Sequence, residues 1–112
     1  MSGRSIKAIQ RMSFVASSLT NIFQPINPGG ITAPCFLLRI VNDSAVGVYI
    51  SYDGVIDNDY IPPKTSLEVP GSWGWQEMGT MGTWRKGTIV YVSGSAGARD
   101  SFIHLLGYYL TA

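Results

Sequence analysis

Few residues of this 112-residue chain could carry catalysis or bind a metal: one histidine, one cysteine and three neighbouring aspartates. His104 falls in an apolar run, with Ile103 before it and Leu105 and Leu106 after it. General acid–base work needs a histidine oriented by a carboxylate and set beside a nucleophile. No spacing pairs His104 with Cys35, and both are expected in strands, so His104 is read as a hydrogen-bonded strand histidine. Cys35 lies in Cys35-Phe36-Leu37-Leu38 and is read as a small buried hydrophobe. A lone cysteine forms no intrachain disulfide, and one cysteine with one histidine is too small a set for a zinc site.

Asp53, Asp57 and Asp59 fall within seven residues, with Asn58 between the last two. Oxygen ligands at that density can hold calcium. Their spacing fails the EF-hand pattern, which wants a glycine sixth and a glutamate twelfth, and turn aspartates more often cap backbone amides. Gly94-Ser95-Ala96-Gly97 lacks the lysine and the helix of a phosphate-binding loop and is read as a turn. The expectation is therefore a protein that is not an enzyme, with no catalytic residues, no metal and no cofactor.

The elements that position these residues follow from the punctuation of the chain. Turn formers recur at Asn27-Pro28-Gly29-Gly30, Asn42-Asp43-Ser44, Asp53-Gly54, Pro62-Pro63, Pro70-Gly71 and Ser93–Gly97. Intervals of about 8–12 residues between turns mark a sandwich or barrel, and no window sustains the 3.6-residue apolar period of a helix. The fold class expected is all-β: a single antiparallel β-sandwich or jelly-roll-like barrel of about seven or eight strands. Strands are predicted at Phe36–Val41 (central, nearly continuous in apolar residues), Val48–Tyr52, Thr65–Val69 (one wet face), Thr88–Val92 and Phe102–Leu110. Weaker strand patterns cover about Ile6–Val15 and Asn21–Gln24. Short loops predict two hairpins, one across Asn42–Gly47 and one across Ser93–Asp100. Residues 1–24 are expected as an N-terminal strand or arm able to contact a partner, and 25–112 as the sandwich domain.

The charged fraction is 13%, about half of the ~25% usual in soluble domains. That shortage suggests that part of the surface faces another chain. Net charge is +1, without the basic excess of a nucleic-acid binder. Arg4, Lys7 and Arg11 make a mildly basic start, read as a solvated strand face or a partner contact. No apolar run reaches the roughly 20 residues that span a bilayer, so a soluble protein made in the cytosol is expected. The segment Gly71–Trp84 holds all three tryptophans, two of the four methionines and four glycines. Trp73, Trp75, Met78, Met81 and Trp84 supply large, adaptable contact area on a compliant backbone. Two readings stay open: an interaction loop, or early tryptophans folded back to cap one end of the barrel.

Three strings carry a family resemblance: Leu38-Arg39-Ile40-Val41-Asn42-Asp43-Ser44, then Val48-Tyr49-Ile50-Ser51-Tyr52-Asp53-Gly54, then Asp57-Asn58-Asp59-Tyr60-Ile61-Pro62. Together with Arg85–Val92 and the closing Gly107-Tyr108-Tyr109, they resemble small structural virion proteins of tailed bacteriophages, neck, tail or capsid-associated β-sandwiches. The placement of Ser13–Phe23 is similar to the first hairpin of that family. The resemblance covers about residues 36–69 and 85–109. It implies a shared fold, a virion setting after synthesis in the host cytoplasm, and partners that are copies of the chain and other virion proteins. The Trp-rich segment 73–84 departs from the more polar connection of the family. A second reading is a carbohydrate- or host-surface-binding module, with Trp73, Trp75, Tyr60 and the Asp57–Asp59 turn as a platform for a glycan.

Overall fold

A computed structural model describes residues 5–71 and 82–111. The chain runs through β1 (Ser5–Ala8), β2 (Met12–Val15), β3 (Gln24–Pro25), β4 (Leu37–Asp43), β5 (Val48–Ser51), β6 (Asp59–Ile61), β7 (Thr65–Pro70), β8 (Tyr91–Gly94) and β9 (Phe102–Thr111). One sheet has the order β1-β9-β4-β7, with β2 also paired to β9; the other has the order β3-β8-β5-β6. All pairings are antiparallel. Strands β2 to β9 thus form an eight-stranded jelly roll, one sheet reading β2-β9-β4-β7 and the other β3-β8-β5-β6. β1 adds a ninth strand beside the second half of β9.

Side-chain alternation sets which residues meet between the sheets. In β4, Leu38, Ile40 and Asn42 are buried while Leu37, Arg39 and Val41 face outward and stay partly exposed. In β9, Ile103, Leu105 and Gly107 point inward. The facing sheet contributes Val48, Ile50, Ile61 and Val92, and all of these apolar side chains are buried. Gly107 is small for a reason. A Cβ there would come within 2.9 Å of Cys35 Sγ and 3.0 Å of Ile9 Cδ1. As expected, β4 is central in its sheet and Cys35 is buried.

Neither predicted hairpin forms. β4 and β5 lie in different sheets, and so do β8 and β9. The Ser44–Gly47 link is held by Asn42, so it carries the chain across the sandwich instead of back along β4. The Ser93–Asp100 link is pinned to the segment after β2 by Gly94 N–H to Thr20 O and Gly97 N–H to Ala16 O, both 2.8 Å. After β1 and β2, only β5 and β6 follow each other within one sheet.

Strand boundaries also differ: the strand predicted near Asn21–Gln24 is Gln24–Pro25, β6 lies where no strand is predicted, and two further differences have visible causes. Thr88–Val90 was expected to start a strand that in fact begins at Tyr91. The side chain of Asn27 stands in for a neighbouring peptide there: its Nδ2 donates to Thr88 O (3.0 Å), and its Oδ1 accepts from Val90 N–H (2.9 Å). The single strand expected over 6–15 is two strands broken at buried Ile9, whose N–H bonds Gly107 O. Within segment 1–24, β1 and β2 are thus paired to β9 of the five-stranded sheet, and Gln24 belongs to β3 of the other. All four residues of β1 are exposed. With the end of β9 they form a ribbon in a molecule of 49 × 27 × 24 Å.

Candidate functional site

The residues that sequence marks as chemical are dispersed by the fold into local structural tasks. Asp53 Oδ1 accepts from Val55 N–H and Ile56 N–H, each at 2.9 Å, and from Ser51 Oγ at 2.9 Å. The two backbone bonds are the main reason its carboxyl sits below its ordinary range. Asp59 Oδ2 accepts from the Tyr52 hydroxyl at 2.8 Å. Burial first, and then this bond, push the Tyr52 phenol well above its usual range, so it stays neutral. Asn58 Oδ1 accepts from Tyr52 N–H at 3.1 Å. Among the described residues no three His, Cys, Asp or Glu side chains gather as a metal site.

The strings that carry the resemblance drawn from the sequence coincide with this turn chemistry. Asn42 is fully buried, and its Nδ2 approaches Val46 O (2.8 Å), Ile61 O (3.1 Å) and Pro62 O (3.1 Å). Its Oδ1 accepts from Ser44 Oγ at 2.6 Å. One amide so ties β4 of the first sheet to the ends of β5 and β6 in the second. Ser51, Asp53 and Asn58 close the β5–β6 hairpin in the same manner. These motifs brace opposite ends of β5, Asn42 at its start and the Ser51–Asn58 turn at its finish.

Of the residues proposed to contact a partner, Arg4, Trp73, Trp75, Met78 and Met81 lie outside the described residues. Lys7 is exposed on β1 opposite Tyr109, and Arg11 is exposed in the break between β1 and β2. Trp84 is half-buried inside the domain. It forms a bridge with Cys35, donates its indole N–H to Val69 O at 2.9 Å and packs on Tyr52 with ring centroids 5.3 Å apart. That arrangement gives Trp84 the work of closing the sheet end next to β7.

His104 is satisfied as expected: Nδ1 lies 2.7 Å from Ser13 Oγ across the β2–β9 pairing. Burial and the nearby Arg11 hold its pKa below the usual histidine range, against an opposing pull from Asp43. The pair stands on the outer face of the five-stranded sheet, where registry brings together a set of residues that sequence reading passed over. β9 presents Phe102, His104, Leu106, Tyr108 and Leu110 outward, flanked by Leu37 and Val41 of β4, Val15 of β2 and Ile6 of β1. Ile6, Phe102 and Leu110 are exposed, with Ile6 67% accessible. Alternation within β9 could have signalled this stripe, because its outward positions are as apolar as its inward ones.

Two ion pairs stand on the β4–β7 side of this face, and Arg11, exposed near His104, adds a charge outside either pair. Lys64 Nζ lies 3.1 Å from Asp43 Oδ1, and Arg39 Nε lies 3.9 Å from Glu68 Oε2. The second is too long for a hydrogen bond. Arg39 Nε is shielded from solvent and has no hydrogen-bond partner among the described residues.

The outer face of the four-stranded sheet is different. Tyr49 and Tyr60 form a cross-strand pair with ring centroids 5.1 Å apart and planes inclined at 49°. Tyr60 lies over Gly47, where any Cβ would collide with the ring. Asp59, one position along, is committed to Tyr52. Tyr60 thus packs with Tyr49 and Gly47 while Asp59 serves Tyr52, and Trp73 and Trp75 of the expected glycan platform lie outside the described residues.

No family model and no curated protein matches this chain. Among solved structures, one from a study entitled "Bacillus endospore appendages form a novel family of disulfide-linked pili" aligns over 99% of this chain and 93% of its own. The two are 12% identical, and the TM-score is 0.49.

Proposed function

We propose that this protein is a non-enzymatic structural subunit that assembles with copies of itself through the outer face of its five-stranded sheet. The observation that carries the reading is the apolar stripe along β9. The free face of an antiparallel sandwich sheet is ordinarily polar, and a contiguous apolar patch on it marks a contact surface. Phe102, Leu106, Tyr108 and Leu110, with Leu37, Val41, Val15 and Ile6 beside them, make that patch. A second copy is the occupant because the charges on the β4–β7 side are balanced in two pairs and Arg11 alone adds a net charge, so like surfaces meet with little repulsion. The low charged fraction of the chain agrees with a surface partly covered by protein.

The resemblance of the Leu38–Ser44, Val48–Gly54 and Asp57–Pro62 strings to small structural proteins of tailed bacteriophages supports a virion as the setting. A jelly roll suits that use, since virus capsid proteins and lectins employ the same architecture. The test is solution mass by light scattering over a range of concentrations, for the native chain and for Leu106→Lys. An oligomer that dissociates in the variant, with an unchanged β-sheet circular dichroism spectrum, is the expected result. A native chain that stays monomeric throughout overturns self-assembly through this face.

A further inference from the structure

The outer face of the four-stranded sheet carries a cleft of about 350 Å³ lined by Asn21, Tyr49, Tyr60, Ser93 and Ser95, with Gly47 and Gly94 contributing backbone. We propose that it binds a neutral glycan, one or two pyranose rings seated against Tyr49 and Tyr60. This reading is independent of self-assembly, because the cleft lies on the sheet opposite the apolar stripe.

Four features of the cleft point to this chemistry. First, both tyrosine rings are open to solvent, Tyr49 at 42% and Tyr60 at 51%. A pyranose presents a patch of C–H groups on one face and hydroxyls around its rim, which suits an aromatic wall with polar groups beside it. Second, those polar groups are present and uncharged: the Asn21 amide and the Ser93 and Ser95 hydroxyls. An anionic sugar or phosphate would call for a basic residue, and none lines the cleft. Third, the volume falls at the lower end of the roughly 300–1,000 Å³ of small-molecule sites, which fits one or two rings.

Fourth, the walls are set before any ligand arrives. Tyr60 rests on the bare backbone of Gly47, Ser93 is buried in β8, and Gly94 N–H to Thr20 O (2.8 Å) fixes the segment that carries Asn21. A preformed site loses little entropy on binding. No carboxylate lines the cleft, and glycoside hydrolysis ordinarily needs a pair of them, so the inference is binding without cleavage.

The experiment is a two-dimensional amide NMR titration of the native chain with methyl β-glucoside, methyl β-galactoside, N-acetylglucosamine and their β1,4-linked dimers. Sialic acid serves as the anionic comparison. The expected result is a saturable shift, for at least one neutral sugar, of the amides of Asn21, Gly47, Tyr49, Tyr60 and Ser93 to Ser95. Affinity should fall about tenfold or more in Tyr49→Ala and in Asn21→Ala, an exposed change that leaves the aromatic pair intact. The unperturbed amides of the opposite sheet report that each variant is folded. Absence of cleft shifts with every neutral sugar, equal binding by both variants, or preference for sialic acid would overturn the proposal.

Discussion

Ser13 Oγ and His104 Nδ1 lie 2.7 Å apart, 91 residues apart in the chain, on neighbouring strands of an open sheet face. A serine and a histidine in contact invite comparison with a nucleophile and its base. A hydrolase also holds the second imidazole nitrogen with a carboxylate and gathers donors for an oxyanion. Here Asp43 is felt only through its charge, and the pair sits among Phe102, Leu106 and Val15 on the stripe assigned to assembly. Ser13→Ala is expected to leave any esterase background on activated esters unchanged, and a fall to the level of buffer would revive an enzymatic reading.

The same histidine makes stability depend on pH. Its pKa is lowered in the folded chain by burial and by Arg11, against Asp43, so folding favours the neutral ring. The unfolded chain then binds the proton more readily. Stability is highest above the ordinary histidine pKa of ~6.5 and falls as pH drops through that value to the lower folded one. The Ser13 hydroxyl can either donate to Nδ1 or accept from it, so that bond survives protonation and the loss comes from desolvation and from Arg11. Urea midpoints measured between pH 7.5 and 5 should decline for the native chain and decline less for His104→Gln. Asp53 adds a similar trend at lower pH, because its lowered carboxyl pKa favours the folded state until acid protonates it.

Asn42 is the residue whose loss should cost the fold most for its size. Asn42→Ala removes the amide shared by the carbonyls of Val46, Ile61 and Pro62 at the join between the sheets. It leaves Ser44 Oγ for Val46 O and Thr65 Oγ1 for Pro62 O, and takes from Ile61 O its side-chain donor. A destabilisation of about 3 kcal/mol is expected by urea denaturation, at the upper end for an unsatisfied buried group. A change below about 0.5 kcal/mol, the range of ordinary surface substitutions, would contradict the bridging role.

Gly107→Ala should be costly where Gly29→Ala is neutral. The new methyl at 107 meets Cys35 Sγ, Ile9 Cδ1 and Leu38 Cδ2 within 3.1 Å, while at 29 nothing lies within 4 Å. Overpacking of this kind costs about 1–3 kcal/mol. Thermal melts of the two variants side by side test the contrast. In the native chain the Cys35 thiol, buried and with its pKa raised by that burial, should react with a disulfide reagent only as fast as the protein unfolds.

Trp84→Phe separates a role within the domain from one between subunits. Losing the bond to Val69 O should lower stability by about 1 kcal/mol, the usual net value of one hydrogen bond. Solution mass should not change. Dissociation of an oligomer without loss of stability would return Trp84 to the interface.

What the sequence made legible was local. Turn dipeptides located the ends of β4, β5 and β7, and alternation in Thr65–Val69 gave its wet face. Cys35 was readable from its apolar neighbours. The expected hairpins failed because loop length alone does not say which sheet receives the next strand; Asn42 and the Thr20–Gly94 contact decide that through long-range bonds. Asn27 could not be foreseen as a surrogate peptide for Thr88 and Val90, since its partners stand more than 60 residues away. The Tyr49–Tyr60 cleft was missed for a related reason. Sequence placed Tyr60 beside the acids next to it, but strand pairing turns it toward Tyr49, whereas Asp59 faces Tyr52.

The place of β9 governs how this chain can fold. It follows every other strand in order, yet β1, β2 and one side of β4 all pair with it. Until β9 arrives, the five-stranded sheet has only the β4–β7 pair, and the other side of β4 is an open template. Loops this long close slowly, and an open hydrophobic edge recruits strands from other chains. During synthesis β1, β2 and the open side of β4 must therefore wait, unpaired and adhesive, for β9 to emerge. Yield in a heterologous host should be limited by that interval more than by the stability of the finished sandwich.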